Sequence, residues 1–401
     1  MNIHFTTILF PIMGAKDQKQ QTIPDLKKID FYNKISVLQD IKSRIDAIGE
    51  KEWDYLKKKS NPFECVTTNG GLANYTPISR AYFKMLEIVH VFKSEIRKLS
   101  GLNSIPNMPI TTLHLAEGPG GFMECIHNVL GEMNMGKFSM HGMTLMKEDK
   151  SVPSWKKSNF FFDHNPNVYS LVGKDGTGDL YNMENIYDIL NHIPQKAHLI
   201  TGDGGFDFSN DFNQQESMSF PLLYCQSLAA LLSQKKGGMF ILKFFDTYQT
   251  KTLQLINLLN TCYRKLYFIK PYTSRPGNSE KYLVCLNFLD NISKEDIHKL
   301  LLDIPRIGST MNHNLNLSKY NTSDMNFYNG IHVINNITFE RQKEFIEQTL
   351  ELHKENTLEE KKEQLFKDQI KTSSAWCKMY GVKINYQSKF INSYYRIMDN
   401  D

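Results

Sequence analysis

Lys243 is the residue hardest to dismiss as ordinary in this 401-residue chain, because it interrupts the apolar run GMFILKFF from Gly238 to Phe245. A central strand of that composition buries its side chains. An unpaired buried ammonium is costly, so an acidic partner or a chemical role is expected. Two acids stand at strand ends elsewhere. Asp203 follows the short apolar run AHLIT, Ala197 to Thr201, where open α/β sheets put their ligands. Glu280 closes the loop PYTSRPGNSE just before KYLVCLNF. A second lysine, Lys84, comes four residues after Arg80 in ISRAYFKMLEIVHVFKSEIRKL. The two share one side of a helix and can both face an anion or a buried carboxylate. Read singly, Lys84 is a surface lysine.

Thr111 to Leu130, TTLHLAEGPGGFMECIHNVL, carries a different chemistry: an apolar strand, a glycine turn and a helix. Bare backbone and the free N–H groups of a helix start make a site for a small polar cofactor. A dinucleotide fingerprint needs Gly-x-Gly-x-x-Gly with an acid roughly 20 residues on. Here Gly118, Gly120 and Gly121 give Gly-x-Gly-Gly, and Glu117 puts a carboxylate into the turn. That carboxylate repels pyrophosphate and attracts an ammonium, which favours S-adenosylmethionine over a nicotinamide dinucleotide. A plain tight turn is the alternative. Further on, GKDGTGDL is too rich in Gly and Asp for helix or strand. Its Asp179 either accepts a hydrogen bond from an exocyclic amine such as adenine N6 or forms a turn.

The elements that must position these residues follow from hydrophobic periodicity. Strands are predicted at KFSMHGMTL, near Val168 to Val172, at AHLIT and at GMFILKFF. A helix over Asn213 to Gln234 is expected to stop at Gly237 and Gly238, and another spans about Thr250 to Thr261. KLYFIK and KYLVCLNF, joined by the loop before Glu280, read as a hairpin-like pair at the sheet edge. Strands alternating with helices across Thr111 to Phe288 imply an α/β fold with a largely parallel sheet covered on both faces.

The flanks read as helical extensions over residues 1–75 and 291–401, around a catalytic unit at 76–290. In the first, Ile35, Leu38, Ile41, Ile45 and Ile48 form an apolar stripe that is expected to face the body of the protein, and the opening residues read as a strand or arm packed on the core. Lys57, Lys58 and Lys59 beside Trp53 and Tyr55 are a solvated helix end or a place for base stacking with phosphate contact. In the second, Ile346, Leu350, Leu358, Leu365 and Ile370 form a sparse stripe that packs on the body or meets a partner protein's helix.

Hydrophobic residues make up 41% and charged residues 22%, an ordinary globular composition, and the net charge of +4 permits a polyanionic partner without demanding one. The six cysteines are far apart, with no Cys-x-x-Cys pair and no His at zinc spacing. They read as reduced core residues of an intracellular protein, and no metal site is expected. No apolar run approaches the ~20 residues of a membrane span.

Lys84, Asp203, Lys243 and Glu280, in that order and setting, resemble the Lys-Asp-Lys-Glu tetrad of the FtsJ-like RNA 2′-O-ribose methyltransferases. The resemblance covers roughly Ile78 to Phe288 and rests on SRAYFK, LAEGPGGF, TGDGG, ILKFF and SRPGNSEKY. GKDGTGDLYNMENI and the SRPxNSE stretch are similar to those of cap-specific mRNA 2′-O-methyltransferases of eukaryotes and of large DNA viruses. The resemblance implies a Rossmann-like S-adenosylmethionine-dependent fold acting on RNA, with capped messenger as the expected substrate. It implies a place in cytoplasm or nucleus, or in a virion or viral factory for a viral source. It further implies that Gly118, Pro119, Gly120, Gly121 and Phe122 wrap the methionine part of the cofactor. Glu117 would face its amino group, with Asp179 and Asp203 completing that site. Arg80, Ser274, Arg275 and Asn278 would hold the RNA. Lys243, desolvated and near Lys84, is expected to have a lowered pKa and to take the 2′-hydroxyl proton, although the two carboxylates pull the other way. A ribosomal or other structured RNA as substrate, or an inactive RNA-binding homologue, are the competing readings.

Overall fold

The computed structural model describes residues 10–12, 31–68, 70–103, 108–147, 149, 152–205, 214–307, 315–354 and 357–398. Asn213 and most of the first 30 residues lie outside them. Before the glycine turn come strand β1 (Phe10–Ile12) and helices α1 (Phe31–Ser43), α2 (Glu50–Ser60), α3 (Glu64–Thr67), α4 (Ala81–Val91) and α5 (Lys93–Lys98). The alternating region then runs β2 (Ile110–Leu115), α6 (Gly121–Glu132), β3 (Phe138–Met143), α7 (Asn159–His164), β4 (Val168–Leu171), α8 (Met183–His192) and β5 (Ala197–Gly202). It continues through α9 (Gln215–Ser233), β6 (Gln234–Phe244), α10 (Thr250–Cys262), β7 (Tyr263–Ile269) and β8 (Lys281–Phe288). Helices α11 (Lys294–Leu301), α12 (Met325–Leu352), α13 (Thr357–Met379) and α14 (Lys389–Met398) follow.

All six residues of β2 are buried, as a strand covered on both faces requires. It sits inside an eight-stranded sheet of order β1-β7-β8-β6-β5-β2-β3-β4. The pairings from β4 through β6 are parallel, and β8 runs antiparallel to both β6 and β7. The two faces carry separate apolar layers. Along β6, Phe240, Leu242 and Phe244 join the layer under α8 to α12. Met239 and Ile241 join the layer under α4 to α6, with Trp376 of α13. The period of two therefore sends Lys243 toward α4 and α6.

Three expectations change. Helix α9 ends at Ser233, and Gly237 and Gly238 lie within β6 rather than stopping a helix. The Gln234 side chain donates to the Ala197 and His198 carbonyls at 2.9 and 3.3 Å. Gly237 has φ +82°, and the β5–β6 register shifts between Ala197 and Leu199, so the glycines make a bulge. The β7–β8 pair is antiparallel, but β8 is interior and the outer side of β7 is covered by β1, paired Phe10 with Phe268. Finally, the flanks pack on each other. Leu38 and Ile41 of α1 bury against Phe339 and Ile346 of α12, with Trp53 and Leu350 beside them. Ile370 of α13 is buried, while Leu358 and Leu365 are half-buried. No helix among the described residues is long and apolar enough to cross a membrane.

Candidate active site

At the carboxyl ends of β5 and β6, and at the start of β8, four charged side chains from distant parts of the chain converge as two ion pairs. The Lys84 ammonium donates to both Glu280 oxygens at 2.7 and 3.0 Å. Lys243 Nζ lies 3.2 Å from Asp203 Oδ1 and donates to the Asp203 carbonyl at 2.9 Å. The pairs are joined by Tyr282, whose hydroxyl lies 3.3 Å from Asp203 Oδ1 and 3.1 Å from Glu280 Oε1. Tyr282 is opposite Lys243 in the β6–β8 register, so the sheet itself sets this spacing. Burial works to lower the Lys243 amine, but Asp203 and Glu280 overturn it and raise the pKa above its ordinary value. The expected lowering of Lys243 is thus corrected for the protein alone: two carboxylates outweigh desolvation. Burial likewise works to raise Glu280, yet Lys84 and Lys243 hold it well below the ordinary carboxylate range.

A cavity of about 880 Å³ opens beside the two pairs, walled by Ala116, Gly118, Asp179, Asp203, Lys243 and Glu280 among others. Its far wall comes from the flanks: Ile45, Trp53 and Lys57 on one side, Phe345 and Ile346 on the other. Lys57 and Lys58 both pair with Asp54, at 3.0 and 2.5 Å, so their charge is partly spent locally.

The turn after β2 is built as bare backbone requires. Ala116 is held at φ +51° and Gly120 at φ +111°, both in the left-handed region. A Cβ on Gly118 would stand 2.7 Å from the Ser154 carbonyl. Glu117 Oε1 accepts from the Phe122 and Met123 N–H groups at 2.6 and 3.2 Å. Its Oε2 is buried with no partner among the described residues. Burial and the neighbouring Asp203 push this carboxyl well up. A buried acid with one free oxygen next to a glycine turn fits the ammonium of S-adenosylmethionine, which would relieve both effects.

Apart from Gly118, the expected turn residues, Glu117 included, are not among those that line the cavity, and several serve the turn's packing. Phe122 is fully buried and packs against Tyr282 with ring centroids 5.6 Å apart and the rings tilted by 45°. Gly121 lets α6 approach α4, since a Cβ there would stand 3.0 Å from the Tyr82 nitrogen. The Pro119 carbonyl accepts from the Ser158 hydroxyl. Asp179 does line the cavity, in a loop folded around Asp175. Asp175 accepts from Thr177 N at 2.9 Å and from Asn182 and Asn185 at 2.7 and 2.9 Å.

The loop between β7 and β8 carries three of the four expected RNA contacts, Arg80 standing instead at the start of α4, and four anchors hold it. Glu87, on the same face of α4 as Arg80 and Lys84, accepts from Tyr272 N and Thr273 N at 2.7 and 2.9 Å. Buried Lys270 donates to the Asn278 and Glu280 carbonyls, both at 2.8 Å, and to Asn278 Oδ1 at 3.0 Å. Gln342 of α12 donates to the Gly277 carbonyl at 2.9 Å. Glu64 of α3 lies 3.2 Å from both Arg80 and Arg275. Arg275 and Asn278 reach the cavity. Ser274 does not meet solvent: it is 1% exposed and its hydroxyl lies 3.4 Å from Lys270 Nζ, which makes it part of the loop's frame. Sequence reading missed Glu64, Glu87, Lys270, Tyr282 and Gln342. The signals were available for two of them: Lys270 ends an apolar strand, and Tyr282 follows Glu280 at the strand period of two.

The family model of FtsJ-like methyltransferases matches residues 77–288, more than half of the chain. Among curated relatives, a cap-specific mRNA (nucleoside-2′-O-)-methyltransferase 1 of Trypanosoma cruzi is 30% identical over 254 residues, covering 63% of this chain and 67% of its own length. The Xenopus laevis protein of the same description is 30% identical over 292 residues, covering 68% of this chain and 32% of its own. A cap-specific methyltransferase 2 of Danio rerio is 30% identical over 282 residues, with 67% and 36% covered. The chain therefore spans about a third of these vertebrate relatives and two thirds of the trypanosome one. The matched span contains the glycine turn, the two ion pairs and the parallel sheet that aligns them, and the chain belongs to the FtsJ-like methyltransferase family.

Proposed function

We propose that this protein transfers the methyl group of S-adenosylmethionine to a ribose 2′-hydroxyl of RNA, at the first transcribed nucleotide of a capped messenger. The observation that carries the reading is the joined arrangement Lys84–Glu280–Tyr282–Asp203–Lys243, facing a cavity next to the glycine turn. The cap-specific relatives support the messenger substrate.

A ribose hydroxyl holds its proton at neutral pH, so a base is needed. The sulfonium supplies an electrophilic methyl and a positive charge. Any positive charge brought against Lys243 works against the two carboxylates and lowers its pKa again. In that state Lys243 takes the 2′-proton, and Asp203 holds the ammonium that results. Lys84 and Glu280 fix the second side of the ribose, Arg275 and Asn278 hold the backbone near it, and Asp179, which lines the cavity, would hold the cofactor's adenine amine. Glu117 Oε2 would receive its amino group.

Lys243→Ala is expected to lower kcat by at least about a hundredfold, the lower range for a positioned base, with cofactor affinity by calorimetry unchanged. Activity within about tenfold of the parent would remove the role. The substrate is tested by mass-spectrometric mapping of the methyl group on a short capped transcript, with uncapped and ribosomal RNAs in parallel. Methylation of the uncapped or ribosomal RNA alone overturns the messenger assignment.

A further inference from the structure

Glu64 lies outside the matched family span, on the short helix α3 of the N-terminal flank, yet its carboxylate sits against Arg275, which lines the cavity, and against Arg80 beside it. It is 8% exposed. Oε1 accepts from Arg80 Nη1 and from Arg275 Nη2, each at 3.2 Å, and Oε2 accepts from Asn61 Nδ2 at 2.7 Å. Arg80 caps the helix that carries Lys84, and Arg275 lies in the loop that carries Glu280. The side chains of both arginines keep partial exposure, 37% and 26%. Two guanidiniums drawn onto one shared oxygen form a fixed cationic pair with one net positive charge. Their N–H donors are oriented before any ligand arrives, and a guanidinium fork is the geometry that matches phosphate oxygens.

We infer that Glu64 is a positioning residue that holds Arg80 and Arg275 as a two-armed clamp for a backbone phosphate next to the methylated ribose. The inference rests on the RNA methyl-transfer reading above and assigns part of substrate recognition to the N-terminal flank. It also makes a prediction that simple electrostatics contradicts. Glu64→Gln removes a negative charge from beside the RNA path, so general attraction to a polyanion rises and KM for RNA should fall. Loss of the clamp makes KM rise instead.

The test is steady-state methyl transfer by the full chain on a short capped RNA, at several salt concentrations. For Glu64→Gln, KM for RNA is expected to rise about tenfold, with a salt slope shallower by about 0.7 for the lost phosphate contact. kcat at saturating RNA falls less than KM rises, because the loop keeps its Glu87, Lys270 and Gln342 anchors, and cofactor affinity stays near that of the parent. In an Arg80→Ala, Arg275→Ala background the same substitution has no further effect on KM, because Glu64 acts only through the arginines. A KM that is unchanged or lower, or an equal loss in the double-arginine background, overturns the clamp. Should Glu64→Gln fail to fold, Asn61→Ala, which removes the donor to the far oxygen of Glu64 and the acceptor of the Phe63 N–H, is expected to raise KM by a smaller factor, and no rise there overturns it too. A parent protein that methylates no RNA would instead sink the reading on which the clamp stands.

Discussion

Tyr282 is placed so that one hydroxyl serves two carboxylates, and its single proton cannot satisfy both at once. Tyr282→Phe is expected to leave the fold intact and to lower kcat about tenfold, since the one proton shared between Asp203 and Glu280 is lost, at roughly 1.5 kcal/mol for a hydrogen bond to charge; an unchanged kcat would make the tyrosine mere packing. Two buried acids give pH effects of opposite sign. Glu280 is held below its ordinary value near 4.5, so its contribution to stability is complete above that pH and is lost as pH falls below it. In urea unfolding, the gap between the parent and Glu280→Gln should narrow from pH 5 downward. Glu87 is pushed up to about 7 by burial. Its contribution is complete below about 4.5 and is lost as pH rises through 7, so the gap to Glu87→Gln should narrow over that interval. At this scale the sequence was informative where a residue contradicted its surroundings. Lys243 stood out because a charge broke an apolar strand, whereas Tyr282 and Glu87 look like a core aromatic and a helix-surface acid until the fold shows what they touch.

The loop from Pro271 to Glu280 has no regular structure, yet α4, α12 and Lys270 all grip its backbone. Lys270→Met removes donors from two buried carbonyls, which costs about 1–3 kcal/mol for each group left unpaired. It also relieves the burial that pushes this amine down to about 7. The two effects offset in global stability but not locally. The expected outcome is a small change in Tm with a loop that is cut faster by protease and a lower kcat; an unchanged cleavage rate would mean that the helices suffice. Among the elements, the strand and helix alternation was legible because periods of two and 3.6 are written directly into side-chain order. The glycine pair in β6 was not. Gly237 and Gly238 mark a helix stop or a bulge equally well, and only the capture of β5 carbonyls by Gln234 decides between them.

The molecule as a whole encloses its cavity with chain from both flanks, so the catalytic unit proposed at 76–290 is not self-sufficient in surface. Cut at those bounds, it would leave Phe63 and Trp376 missing from the layer under α4, and the wall of Trp53, Phe345 and Ile346 missing from the cavity. Such a fragment is expected to bind a hydrophobic dye and to unfold at least 10 °C below the full chain, the shift expected for a loss of a few kcal/mol in a unit of this size; equal stability would show the flanks to be additions only. That the flanks pack on the body was legible in their apolar stripes, as Ile370 bears out, but that they wall the cavity was not, since they carry no motif and their stripes name no partner surface. There is also a consequence for biosynthesis. On a ribosome adding about 5–20 residues per second, the strands and both ion pairs are in hand once β8 has emerged, but Gln342 and Phe345 are still to come. A nascent chain halted between those points has both ion pairs and lacks Gln342 and Phe345, so premature termination leaves the β7–β8 loop without its α12 anchor and the cavity without part of its wall.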